Sequence, residues 1–561
     1  MSEAPRVTVA GGGLAGLAAA LRLAERGYRV TVYEQKSMLG GNLASRPAAH
    51  GVYLDVYPHM YCNWYHNFWR LLDDTSGVDR STLFAPVSGY KQLCRGDFPR
   101  FTGVTDMYSP WHMLQNMFSG VGPPADMFVF GYATIDLLAE RLNPTMLLKD
   151  MSVNGFLNAR PYMTKRASAA YDSFITGVWA IPSYLASAHD FRLYLEYCLA
   201  NPTPAFWLPR GSARDRVISH LADALKAAGV NVVTKVQLTS VSCAGGRVSE
   251  IGLQHTEFDK HTYAWVGVGE PWTEEVEETE EVILAVPPFA LSKLVRSGGS
   301  GRRIVEAEPD IAELARLRAQ PIPIVHLYFT RKLAHIPAEP VGLFGSRLRL
   351  AFTDISQTWE DVGDFAGRTV LAVSSSDVYG LPGTAPSDDA YAILVELAEY
   401  LGFDAGPAWG QSSDIDWERT RYDTNADTQL FVNETGTDVW RPRTVCESLS
   451  NLCFAGDFCH SHVGMTTIES AVTTGLEAAR AIVERRGVGA PVEVVKPASD
   501  VSALSGALYV WLRYAWAPYA LSASAWSRGS DHVRGMAPRA SDAKSLLRYL
   551  LTPGRPPRRH R

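Results

Sequence analysis

The chain has 561 residues, 46% hydrophobic and 20% charged, with a formal net charge of −6. That length can bury a large core and predicts at least two structural domains, and the negative balance gives no general pull toward nucleic acid or an anionic membrane. Seven cysteines, at 62, 94, 198, 243, 446, 453 and 459, are scattered without C-x-x-C spacing, which predicts reduced thiols in a cytoplasmic protein and no disulfide framework.

The first element is an apolar β-run, Val7 to Ala10, with no basic start or apolar leader ahead of it, so no signal peptide is expected. Gly11, Gly13 and Gly16 follow in G-x-G-x-x-G spacing, with Leu14 and Ala15 inside the motif, and an amphipathic segment runs from Leu17 to Arg26. Gly27 and a second β-run ending at Glu34 complete the unit. Gly11 permits the tight turn, Gly13 lets a pyrophosphate approach the backbone, and Gly16 allows close packing of helix on strand. The helix start offers free N–H groups to phosphate, and Glu34 is placed to accept ribose hydroxyls. These residues predict a bound dinucleotide.

Glu34 is followed by Gln35 and, six and seven positions on, by Gly40 and Gly41. An acid followed by x5-G-G resembles the second fingerprint of the flavin amine oxidase superfamily, where the glycine pair runs past the FAD pyrophosphate. Members of that family mostly carry Arg or Lys after the pair. Here Asn42 stands there, and the sequence leaves open whether Arg46 supplies the missing charge. The resemblance implies a Rossmann-like α/β domain binding FAD, interleaved with an α+β substrate domain and a helical insert.

Later segments extend the resemblance in chain order. Tyr57-Pro58-His59 and the following Asn67-Phe-Trp-Arg resemble the G-x-H loop and helix of plant-type phytoene and carotene desaturases and of hydroxysqualene dehydroxylases. Val232 to Val241 and Arg247 to Leu253 read as strands, and the end of the first, Leu238-Thr-Ser-Val241, resembles a V-x-x-I strand whose first residue meets adenine through its backbone. Glu281 to Leu284, then Ala-Val-Pro-Pro, resembles the strand and A-x-P turn that return the chain to the cofactor. Ile322 to Phe329 and Thr369 to Ser375 read as strands of a substrate sheet, and Asp388 to Leu401 as a helix. Asn451 to Asp457 resembles the late strand and A-G-D turn. Thr466-Thr467-Ile468-Glu469-Ser470 resembles the S-M-E-G helix start that meets the flavin, with Ser470 in place of Gly. The expected boundaries are 1–75, 206–300 and 441–485 for the FAD domain, 76–205 for the helical insert, 301–440 for the substrate domain, and 486–561 for a linker and tail.

The residues expected to bind FAD are therefore Gly11, Gly13, Leu14, Ala15, Gly16, Glu34, Gln35, Gly40, Gly41, Asn42, Leu238, Gly456, Asp457, Thr467 and Ile468. Attachment is expected to be non-covalent, since no cysteine follows Gly475. Tyr57, His59, Tyr61, His460 and His462 are the polar groups the motifs set nearest the ring, and for a histidine there a proton-transfer role and a hydrogen-bonding role are equally open. Cys459, His460 and His462 have no partner cluster of ligand spacing, so no metal is expected. Met107, Tyr108, Trp111, Met113, Met117, Phe118, Met127, Phe128, Phe130 and Tyr132 form a Met/aromatic series in the insert. Most should be helical core, with some lining a cavity for a hydrophobic small-molecule substrate.

The resemblance implies an oxidoreductase acting on an isoprenoid-like substrate of carotenoid or squalene type. An amine oxidase is the alternative, weakened because His462-Val-Gly-Met-Thr lacks the aromatic of an amine cage. A flavin-bearing assembly protein is the third reading. Leu504 to Trp526 is apolar and aromatic with one charge, Arg513, and one proline, Pro518. Two readings stand for it: a peripheral membrane contact, aided by Arg548, Arg555, Arg558, Arg559 and Arg561, or a helix packed on the protein or on a partner subunit.

Overall fold

The computed structural model describes residues 4–536 except 88, 106–109, 202–203, 261–263, 297–303, 307–308, 360–361 and 499–502. At its centre is a parallel five-stranded sheet in the order Asn231–Thr234, Arg29–Glu34, Arg6–Ala10, Glu281–Leu284, Leu452–Phe454. Its strands read as apolar runs because both faces are covered. Helices Leu14–Ala24 and Ile468–Arg486 cover one face, with Ala18, Ala19 and Ala20 at zero exposure. They touch closely at Gly475, where an added Cβ would lie 2.2 Å from Ala15 O. A three-stranded antiparallel sheet, Val236–Ala244, Arg247–Asp259 and Ala264–Glu275, shares a second apolar core with Ala10, Val282 and Leu284 on the other face.

Two expected elements differ from the observed ones. The β-run from Val232 to Val241 is broken at Lys235, which has φ of 60°, so its halves join different sheets. Lys235 N–H donates to Lys36 O at 3.1 Å, pinning the break beside the Glu34 strand. The segment expected as a helical insert opens with strands: Phe84–Val87 pairs with Phe206–Pro209, and Gly89–Cys94 and Thr102–Thr105 join the substrate sheet. Helices then run from Pro110 to Ala200.

The substrate sheet has seven strands, ordered Arg421–Asp423, Ile324–Tyr328, Val370–Ser375, Leu350–Asp354, Val341–Phe344, Gly89–Cys94, Thr102–Thr105. Helix Pro386–Leu401 packs on one face of this sheet through Ile393, Leu394 and Leu397. The last helix, Ala503–Met536, lies along helix Pro124–Ala139. Among the described residues no helix is long and apolar enough to cross a membrane. Arg548, Arg555, Arg558, Arg559 and Arg561 lie outside the described residues, as do Met107 and Tyr108 and the side chains of Trp111 and Met113.

Candidate active site

A cavity of about 930 Å3 runs between the parallel sheet and the substrate sheet. Fourteen of the fifteen residues expected to bind FAD line it. The first loop and helix start contribute Gly11, Gly13, Leu14 and Ala15, the second strand Glu34 and Gln35, and the glycine pair Gly40, Gly41 and Asn42. Leu238 enters from the antiparallel sheet, and Gly456, Asp457, Thr467 and Ile468 from the late turn and helix start. Gly16 does not line it. A Cβ there would lie 2.1 Å from Gly11 O and 3.2 Å from Val9, so its part is helix-on-strand packing.

Gly13 shows what the cradle is for. Its φ is −78°, open to any residue, and a Cβ built on it would meet only Gly41 Cα, at 3.9 Å. Neither backbone strain nor packing demands glycine there; a group approaching the backbone from the cavity does. Gly11 differs, with φ of 114° and an added Cβ 2.2 Å from Ala285 O. The Gly13 and Gly40 backbones pair directly. Glu34 Oε2 accepts the Gly12 N–H at 2.7 Å and Oε1 that of Lys36 at 2.8 Å. Burial pushes its carboxyl up, and these two bonds oppose the shift. The residues present fit a dinucleotide.

At the far end, the Thr474 hydroxyl accepts from Gly456 N–H at 3.0 Å. Asn433 brackets Thr466, accepting from its N–H at 2.6 Å and donating to its carbonyl at 3.0 Å. Thr467 caps the helix by accepting from Ser470 N–H at 3.1 Å. Ser470 fits where the motif has Gly, its hydroxyl 3.1 Å from Ser461 Oγ. Burial pushes the Asp457 carboxyl up to about 6, with Arg441 opposing.

Residues 14–483 match the family model for flavin containing amine oxidoreductases. The chain belongs to this family. It is similar to the carotenoid phi-ring synthase of Streptomyces griseus, 26% identical over 519 residues that cover 87% of this chain and 89% of that protein. It is also similar to the 15-cis-phytoene desaturase of Synechococcus elongatus, 21% identical over 494 residues covering 86% and 96%. A putrescine oxidase variant with redesigned cofactor binding shares the fold, with a TM-score of 0.57, 17% identity and coverage of 86% and 99%. The protein is thus a flavin-dependent oxidoreductase.

In this flavoenzyme the five candidate polar residues separate. Tyr57 and His59 line the cavity; Tyr61, buried against Phe68 and Phe84, does not, and neither do His460 and His462. The His462 ring is used up elsewhere, with Nδ1 3.0 Å from Glu477 Oε1 and Nε2 3.1 Å from Val495 O. His460 is substantially exposed and sits 3.7 Å from Asp438. Both expectations are corrected: the turn before the helix start points these side chains out of the cavity. His59 Nδ1 lies 2.9 Å from Tyr57 O, so it is the N–H donor and Nε2 carries the lone pair. Burial pushes this imidazole down to about 4, and Tyr57 donates to Thr428 O.

Arg46 does not replace the charge missing at Asn42. It pairs with Asp423 at 2.6 Å and with Asp427. Among the described lining residues the cations are Lys36 and Lys293. Lys36 itself pairs with Asp427 at 3.3 Å. A pyrophosphate bound here would meet the backbone N–H groups at the start of helix Leu14–Ala24. Sequence reasoning missed Lys36, Trp265, Gly267 and Asn433 as lining residues.

Much of the rest of the cavity wall is aromatic and aliphatic, with Met60, Cys62, Tyr65, Tyr90, Trp179, Tyr194, Phe206, Ile322, Ile324 and Phe352, and the uncharged polar side chains of Thr176, Thr353 and Ser374 stand among them. Burial pushes the Cys62 thiol up to about 12 and raises the Tyr65 and Tyr194 phenols well above their usual range. The charged lining residues, Glu34, Lys36, Lys293, Asp427 and Asp457, belong to the cradle or to segments packed beside it. Of the Met/aromatic series, no described member lines the cavity. Phe130 stacks against Tyr171, and Phe128 and Tyr132 meet the last helix.

Proposed function

We propose that the chain binds FAD non-covalently and removes hydrogen from a hydrophobic isoprenoid of carotenoid type, forming a carbon–carbon double bond. The observation that carries this reading is the chamber beside the cradle, whose described wall is largely aromatic and apolar, is broken only by uncharged polar groups such as Thr176, Thr353 and Ser374, and offers no carboxylate to hold an ammonium group. A polyene brings no polar handle, so its binding rests on apolar area, at ~25 cal/mol per Å2. The similarity to a carotenoid phi-ring synthase and a phytoene desaturase supports the same substrate class.

A bound flavin supplies a two-electron acceptor for hydride. The chain must then hold the polyene, exclude water, and take the proton lost from the neighbouring carbon as the double bond forms. His59 suits the last task. It is neutral throughout the physiological range, with its free lone pair on Nε2. A weak base is sufficient, because a C–H beside an allylic cation is strongly acidic. Tyr57 fixes the loop that carries His59 through its bond to Thr428 O.

The experiment is anaerobic flavin bleaching against acyclic polyenes, ring-ended carotenoids and primary amines. Bleaching by a polyene or carotenoid is expected. Bleaching by amines alone would replace this reading with amine oxidation.

A further inference from the structure

The last helix is amphipathic in the inverted sense. Gly506, Arg513, Ala520, Ser524 and Ser527 form the buried seam. Arg513 Nε donates to Asp136 Oδ1 at 2.5 Å, and Ser527 Oγ to Asp126 Oδ1 at 2.6 Å. At 100° per residue, Leu504, Leu508, Trp511, Pro518, Tyr519 and Trp526 fall on the opposite side. All six are exposed, Trp511 at 62% and Trp526 at 75%. Between 504 and 527 the only charged residue is Arg513, and it points inward. A helix resting on a protein in water has the reverse pattern, with charge outside and apolar residues inside. Here ~36 Å of helix (24 residues at ~1.5 Å each) presents an uncharged apolar ridge outward.

We propose that this ridge lies in the interfacial layer of an anionic lipid surface, parallel to its plane, while the seam holds the enzyme to the helix. Trp and Tyr favour the headgroup level, where ring and polar edge are both satisfied. Residues 537–561 carry seven Lys and Arg against one acid, Asp542. Anionic lipid complements that charge, whereas a second copy of the same face would bring the same charge with it. Arg513 has no part in the lipid contact, since its guanidinium is spent on Asp136, Glu140 and the carbonyl of Asn143. The proposal is independent of the substrate, because it rests on the helix and on the charge of the residues that follow it.

The test uses the full-length flavin-loaded protein and vesicles of equal parts phosphatidylglycerol and phosphatidylcholine. The wild type is expected to co-sediment with them. Combining Leu508→Ser, Trp511→Ser and Trp526→Ser should weaken binding at least ~10-fold, with bound flavin and sedimentation coefficient unchanged. A wild type that stays in the supernatant would overturn the proposal, as would a triple variant that still sediments. A wild-type dimer that the triple variant converts to monomer would also overturn it, by identifying a second copy as the occupant.

Discussion

The guanidinium Nε of Arg513 lies 2.5 Å from Oδ1 of Asp136, tying the last helix to one that precedes it by nearly four hundred residues. Asp136 and Glu140 also receive Arg160, at 2.9 and 2.8 Å, so two arginines share two buried carboxylates. Tyr132 OH donates to the Arg513 carbonyl at 2.7 Å, and Trp516 packs on Phe128 with ring centroids 5.9 Å apart.

Arg513→Met should therefore cost ~3–5 kcal/mol, the usual penalty for leaving buried carboxylates short of a partner. Differential scanning fluorimetry is expected to show an earlier transition. Adding Asp136→Asn should recover part of the loss, because one stranded charge is then removed. An unchanged melt in the single variant would mean that the seam contributes little.

Gly13→Val should give a folded protein without flavin. An added Cβ there meets only Gly41 Cα, at 3.9 Å, and the branch beyond it points at the cavity, so the fold should tolerate valine while the cofactor should not. Circular dichroism should match the wild type, and heat-denatured wild type alone should release a yellow supernatant that chromatographs as FAD. Stoichiometric flavin in the variant would contradict the cradle assignment.

His59→Phe should keep flavin bound and slow its reduction by substrate ~100-fold, as expected for loss of a positioned base. The wild-type reductive rate should be flat in this group above pH ~5 and fall below it, because the base must be unprotonated and its pKa is about 4. His462→Phe should leave reduction within ~3-fold while lowering stability by ~1–2 kcal/mol through its lost bonds to Glu477 and the Val495 carbonyl. Stopped-flow reduction separates the two.

Asp55 is expected to shape stability against pH. Burial pushes its carboxyl up to about 7 from an ordinary 3.8, with bonds from Ser45 Oγ–H and Ala213 N–H, both to Oδ1, opposing the shift. The folded state therefore holds a proton that the unfolded state releases. Its stabilising effect is complete below pH ~4 and declines as pH rises to ~7, at up to ~1.4 kcal/mol per unit. Asp55→Asn keeps an oxygen for both donors and removes the titration. Its stability relative to wild type should rise across that window in urea unfolding; a constant difference would exclude Asp55 as the source.

What was legible in the sequence was whatever depends on close approach of backbones. The glycines at 11, 40 and 41 sit at positive φ, where side chains are strained, and Gly13 leaves its backbone open to the cavity; together they mark the cradle from sequence alone. Side-chain direction at a turn carries no such mark. His462 lies five positions before Thr467, yet Glu477, about two and a half turns into the next helix, decides where its ring points. Arg46 was ambiguous because its partners, Asp423 and Asp427, stand nearly four hundred residues away. The strands between 84 and 105 were hidden for a similar reason: each is short, and their partners include Phe206–Pro209 and Val341–Phe344. Ala264–Glu275 carries two glycines and a mostly exposed surface, which gives it little apolar alternation to read.

The contact of Gly475 with Ala15 spans 460 positions of chain, and the walls of the cradle come from its beginning, middle and end. During synthesis, then, the first glycine loop leaves the ribosome hundreds of residues before the helix that closes over it. Loading with flavin must wait until translation has passed the last of these segments. A chain that stalls before residue 475 has a nucleotide loop but no holding site, and its exposed strand edges become work for chaperones.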